Sequence, residues 1–200
     1  MDNVEIHRTI RAISTDLDET IAFYETYVPS GQDPALIERL NKTDYYPAAN
    51  AISDALHREV IIGLCRIWDT RSDTANLSQL AVQFRDSQVL SDLRGIGHAI
   101  DPSALTSWLS EFDDGSRSDE LLALKRARHR ALAHTATPNV LYKGPARVAN
   151  YGDERKIIER TIPLVEEAGR FLGYSYASPF EDQRRMRKEF AQRFWERIGR

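Results

Sequence analysis

Ile6-His7-Arg8-Thr9-Ile10-Arg11-Ala12-Ile13-Ser14-Thr15-Asp16-Leu17-Asp18-Glu19-Thr20-Ile21-Ala22-Phe23-Tyr24 places an apolar side chain at every third or fourth position. Ile6, Ile10, Ile13, Leu17, Ile21 and Tyr24 share one face of a 3.6-residue helix, while Arg8, Arg11, Asp16, Asp18 and Glu19 take the solvent side. Such a stripe needs a second apolar surface against it. Ile52, Leu56, Val60, Leu64 and Ile67 form the apolar stripe of another helix, expected from the Asp44–Pro47 region to about Trp68. Ala48, Ala51 and Ala55 help helices approach there, and Gly63 trades about 1 kcal/mol of helix propensity for a tightly packed neighbour. The fold expected is all-α, an up-down helical bundle.

Outward from these two helices the punctuation is regular. Pro29-Ser30-Gly31-Gln32-Asp33-Pro34 reads as a break, with Asp33 as N-cap and Pro34 as first residue of a short helix through Leu36, Ile37 and Leu40. Residues 68–76 read as a polar loop, after which Asn76 or Ser78 caps a helix bearing Leu80, Val82 and Phe84. The 89–98 region is short and glycine-broken. Asp101-Pro102-Ser103 starts a helix with Leu105, Trp108, Leu109 and Phe112, followed by a hinge-like loop over 113–118. Ser118 opens the next helix. Residues 138–152 read as irregular or a small hairpin around Val140-Leu141-Tyr142, and a helix from Asp153 to Gly173 should kink at Pro163. Ser178-Pro179-Phe180-Glu181 begins a last helix. Two parts are expected: a helical domain over 1–175 and a basic amphipathic helix over 176–200, packed on the domain or on a partner subunit.

Composition narrows the function classes. The 200 residues carry a net charge of −3, so no global basic field draws the chain to nucleic acid and any such contact must be local. The single Cys65 excludes an intrachain disulfide framework and a cysteine zinc site; within Ile61-Ile62-Gly63-Leu64-Cys65 it reads as a buried, inert thiol. Met1-Asp2-Asn3-Val4-Glu5 lacks the features of a signal peptide, and no apolar run is long enough to span a bilayer. A cytoplasmic protein without membrane contact is expected. There is no glycine-rich phosphate loop, serine elbow, carboxylate pair or metal-spaced histidine set, so no metal and no cofactor are expected. His7 and His57 read as ordinary helical-surface residues, and His98 as a loop or core histidine.

Chemistry concentrates in Leu124-Lys125-Arg126-Ala127-Arg128-His129-Arg130-Ala131-Leu132-Ala133-His134, where five residues separate Arg128 from His134. A permanent cation beside a group that titrates near neutrality suits phosphate chemistry. This frame resembles the signature of the HEPN superfamily, an arginine, then a polar residue, then a histidine a few positions on. Arg130-Ala131-Leu132-Ala133-His134, and the helix ending Leu64-Cys65-Arg66-Ile67-Trp68-Asp69, resemble the abortive-infection U-type (AbiU-like) branch. The likeness covers roughly residues 5–172.

The resemblance implies a metal-independent endoribonuclease of phage defence or a toxin-like system, acting as a homodimer with the two motifs facing across the interface. RNA would be its substrate and an antitoxin a candidate partner. Arg128, His134 and His129 are then the catalytic candidates, with Arg126, Arg130 and Asp69 as substrate-binding residues. Asp69 would salt-bridge Arg66 or Arg128, or only end its helix. A non-catalytic HEPN-fold module binding RNA, a nucleotide or a protein stands as the alternative, and a regulatory protein neutralising an acidic partner as a third. The basic stretch also fits a solvated helix terminus favoured by the helix dipole.

The tail repeats the ambiguity. Met186, Phe190, Phe194 and Ile198 recur every fourth residue and should dock, while Arg184, Arg185, Arg187 and Lys188 would either back that helix or extend an RNA-binding surface.

Overall fold

A computed structural model describes residues 3–132, 148–175 and 179–199, and within them the chain is α-helical without a strand. The helices are α1 (Asn3–Gln32), α2 (Pro34–Leu40), α3 (Tyr46–Ile67), α4 (Leu77–Arg85), α5 (Ser87–Gly95), α6 (Pro102–Ser116), α7 (Asp119–Leu132), α8 (Asp153–Phe171) and α9 (Phe180–Ile198). The all-α expectation holds. Among the described residues no helix is long and apolar enough to cross a membrane.

The whole bundle is organised on α1. Its six-residue stripe, Ile6 to Tyr24, is buried, and α3, α9, α8 and α4 all pack on it. Burying each such side chain contributes about 1.5–3 kcal/mol. Gly63 is where α3 comes closest: a Cβ there would fall inside the Thr20 hydroxyl of α1. Trp68, directly after α3, ties three helices together. Its indole Nε1 donates to Thr161 Oγ1 at 2.8 Å on α8, and its ring stacks on Phe112 of α6 with centroids 5.8 Å apart.

Three expected features differ. The break at Pro29 is absent; α1 runs to Gln32, because the Asp33 N–H donates back to the Pro29 carbonyl at 3.2 Å and closes the next turn. The expected hinge over 113–118 is mostly helix, since Gly115 is buried and lets α6 pass under Trp68, whose Cη2 would sit 2.5 Å from a Cβ. The glycine-broken 89–98 region contains α5, nucleated by the Asp86 carboxylate accepting from the Gln88 N–H at 2.8 Å. The cap read from sequence at Asp33 forms, Asn76 rather than Ser78 caps α4, and Asp101 caps the helix expected to start there. The expected hairpin around Val140–Tyr142 and the Ser178 cap lie outside the described residues.

In the tail helix the docking face is not the expected one. Phe180, Ala191 and Trp195 are buried, and Trp195 Nε1 donates to the Thr26 carbonyl at 2.6 Å. Arg184 pairs with Glu25, and Arg187 with Asp18 at 2.7 Å, both on α1. Of the expected stripe, Ile198 packs against the cluster of Leu36, Leu40 and Trp195, while Met186, Phe190 and Phe194 are exposed, Phe190 at 66 %. Both sets repeat at helical spacing, and the arginines decide the matter because α1 offers carboxylates opposite them. Ile52, expected in the α3 stripe, is also exposed.

Candidate functional site

Residues 124–132 of the basic stretch form the second half of α7, which packs on α3 and α8. Successive residues on a helix diverge by about 100°, so Arg126 and Arg128 leave α7 on nearly opposite sides. Their surroundings differ accordingly.

Arg128 and Lys125 lie near the C-terminal end of α3, close enough for their charges to act on the Cys65 thiol. Burial pushes that thiol up to about 11, against the pull of Arg128 and Lys125. It is therefore a protonated, inert group, as its apolar setting suggested. Lys125 is pushed down, first by burial and further by Arg128, with Cys65 and Asp69 acting in the opposite sense. Asp69 thus sits within the electrostatic reach of this cationic pair. Its own carboxylate accepts from the Thr70 N–H at 2.7 Å, and its carbonyl accepts from Ser78 Oγ at 2.8 Å. Arg66 turns away from it to Asp16, at 2.7 Å. Arg128 and His129 are half-buried. The side chain of Arg130 and all of His134 lie outside the described residues.

Arg126, on the other side of α7, lines a cavity of about 460 Å³ between α7, α3 and the start of α8. His57, Ala127, Asn150, Tyr151 and Glu154 also line it. His57 is no ordinary surface residue: its ring stacks on Tyr27 at 4.7 Å and 9°, and on Tyr151 at 5.8 Å and 21°. The turn Asn150–Gly152 builds the rim. Gly152 takes φ 97°, open to glycine but strained for other residues, and the Asn150 N–H donates to Asp153 Oδ2 at 2.8 Å. Glu154, in the first turn of α8, accepts from the Gly152 N–H through Oε2 at 3.2 Å. Its Oε1 is buried and accepts no hydrogen bond among the described residues; His57 Nε2 stands 3.9 Å away, beyond bonding distance. Burial pushes the Tyr27 hydroxyl up, and the charge of Glu154 adds to that push.

Sequence reasoning missed His57, Tyr151 and Glu154. Only Tyr151-Gly152-Asp153-Glu154, a glycine turn followed by two acids at a helix start, carried a local signal. His57 meets Tyr27 and Tyr151 from distant parts of the chain, which no spacing rule reveals.

A separate cluster joins the ends of the chain. His7 Nδ1 lies 3.0 Å from the Tyr174 hydroxyl, which also accepts from Arg11 Nε at 3.0 Å, and the His98 ring lies 5.5 Å from that of His7. Burial, then His98, then Arg11 push His7 below its ordinary value. Among the described residues no group of three or more His, Cys, Asp or Glu side chains is placed to hold a metal ion.

A family model for HEPN proteins, HEPN_AbiU2, described as AbiU2, matches residues 4–193. No curated protein and no solved structure matches.

Proposed function

For a chain that belongs to the AbiU2 family of HEPN proteins, we propose that it cleaves RNA without a metal, using Arg128 and His134, in abortive infection or a toxin-like system. The observation that carries this reading is the family match spanning the whole Arg128-to-His134 frame, with Arg128 half-buried on α7 and, like Asp69, within electrostatic reach of Lys125. RNA carries its own nucleophile: the 2′-hydroxyl attacks the adjacent phosphorus and the 5′-oxygen leaves, giving a 2′,3′-cyclic phosphate. That step needs a proton acceptor and donor working near neutrality, which the imidazole of His134 supplies. It needs a fixed cation on the charge that builds on the phosphorane, which the guanidinium of Arg128 supplies through a fork of donors. His129 and Arg130 assist by holding flanking phosphates. Two copies facing one another would provide one imidazole as base and one as acid, so a homodimer is the assembly proposed. An antitoxin that covers Arg128 would silence it.

The test is RNA cleavage by the purified protein in EDTA, with end-group mapping. Cyclic phosphate ends, lost in Arg128→Ala and His134→Ala, are expected. Activity that survives His134→Ala, or that appears only with a divalent ion, overturns the mechanism.

A further inference from the structure

The cavity beside Arg126 has a use that cleavage alone does not require. Glu154 lines this cavity at 1 % exposure, and its buried Oε1 has no hydrogen-bond donor among the described residues. A buried carboxylate oxygen left without a donor destabilises the fold unless a ligand supplies one. Oε2 is held by the Gly152 N–H, so the carboxylate is oriented while Oε1 keeps its acceptor capacity unused among the described residues. Tyr151, 77 % exposed, stacks one face on His57 and extends the aromatic wall to the mouth of the cavity. Arg126 adds a cation on the α7 side.

We infer that this cavity is a base-binding subsite for guanine, an inference that rests on the RNA reading above. Single-stranded RNA is recognised by stacking its bases on aromatic rings and by hydrogen bonds to their Watson–Crick edges. A fixed carboxylate sorts the four bases by chemistry. Guanine presents two adjacent donors, N1–H and the 2-amino group, to its two oxygens. Adenine and cytosine place an acceptor nitrogen next to the amino group, which repels the second oxygen, and uracil flanks its one N–H with carbonyls. Only guanine gives two charge-assisted bonds without a repulsive partner. Stacking on Tyr151 and a phosphate contact from Arg126 complete the recognition of a guanosine nucleotide.

Isothermal titration of the full chain with GMP, IMP, AMP, CMP and UMP tests this directly. GMP should bind at least tenfold more tightly than IMP, which lacks only the 2-amino group, and more tightly than the other three. Glu154→Gln should bring GMP and IMP to within a factor of about two, and Tyr151→Ala should weaken GMP while leaving the circular dichroism spectrum unchanged. The GMP-to-IMP ratio is read on the unaltered protein, so a poorly folded Glu154→Gln does not remove the test. Equal affinities for GMP and IMP, or a GMP preference that persists in folded Glu154→Gln, overturn the subsite. The two readings fail separately. RNA cut with no guanine preference overturns the subsite and keeps the nuclease, whereas selective GMP binding with no cleavage in EDTA keeps the subsite and overturns the nuclease.

Discussion

Arg184 offers a sharp test of whether the basic tail belongs to the fold or to a ligand. On sequence alone it is an equally good phosphate contact. In the structure it pairs with Glu25, with side chains 16 % and 4 % exposed, and its guanidinium lies 5.6 Å from the Tyr24 ring centroid. Glu181, at 3.6 Å, is a more exposed second carboxylate. Arg184→Met keeps the aliphatic packing and strands the Glu25 carboxylate in a buried position. Removing one partner of a buried pair costs about 3–5 kcal/mol, and the residual exposure of Arg184 places this one near the lower end, about 3 kcal/mol. For a chain of this size each kcal/mol moves Tm by roughly 2–4 °C, so a fall of about 6–12 °C is expected by circular dichroism melting. Glu25→Gln should cost less, and the double variant Glu25→Gln/Arg184→Met should recover at least half of the Arg184→Met loss, because the stranded charge is gone. RNA affinity of Arg184→Met, measured well below its Tm, should match that of the unaltered chain. A Tm within about 2 °C of the original, together with weaker RNA binding and a shallower salt dependence, would show a phosphate ligand and refute the structural role.

Gly63→Ala should destabilise despite the higher helix propensity of alanine. The gain is about 1 kcal/mol, but the new methyl collides with Thr20, whose hydroxyl donates to the Asp16 carbonyl at 2.6 Å and is not free to swing away. Overpacking of about 1–3 kcal/mol should win, and Thr20→Ala should rescue the variant in a double-mutant melting cycle; simple additivity would sink the idea. His7 predicts a pH dependence. Its folded value is depressed by burial, His98 and Arg11, so below the ordinary 6.5 the unfolded chain binds more protons than the folded one and stability falls with falling pH. The Tm advantage of the unaltered protein over His7→Gln should therefore shrink between pH 7.5 and 5.5. An advantage that stays flat or grows would contradict the cluster.

What the sequence reveals and what it hides divide along physical lines. Helix faces made of uninterrupted apolar residues, such as Ile6 to Tyr24, were readable because burial of hydrocarbon leaves one choice of inward face. So were the Asp33 cap and the helix starts near Asn76 and Asp101, which are set by bonds across two or three residues. The tail misled for the opposite reason. Met186, Phe190 and Phe194 make the more apolar stripe, yet the face with Arg184 and Arg187 is the one that docks, because Glu25 and Asp18 wait on α1 more than 150 residues away. Pro29 misled because the helix continues through it and closes its next turn with the Asp33 N–H on the Pro29 carbonyl. The Arg128 frame was legible as a pattern, with Asp69 named as a candidate partner, but the nearness of Cys65 was not, because it arises from the packing of α7 on α3. His57 and Glu154 form a site only once α8 starts against the middle of α3.

If the proposed RNA cleavage holds, the division of α7 into two cationic sides constrains the substrate. Arg128 faces the Asp69 end of α3, and Arg126 the cavity with Glu154, about 200° apart around the helix. A base read at Glu154 and a phosphate held at Arg128 therefore cannot belong to a stacked duplex. In a duplex the Watson–Crick edge of guanine is already paired, and the backbone runs too smoothly to pass from one side of a helix to the other. A single strand can do both, since an unstacked nucleotide turns its base away from the path of its phosphates. Pairing a guanosine in a hairpin stem should then protect the neighbouring phosphate, while moving the same guanosine into the loop should expose it. Equal cleavage of stem and loop would mean that the cavity and Arg128 do not engage the same strand.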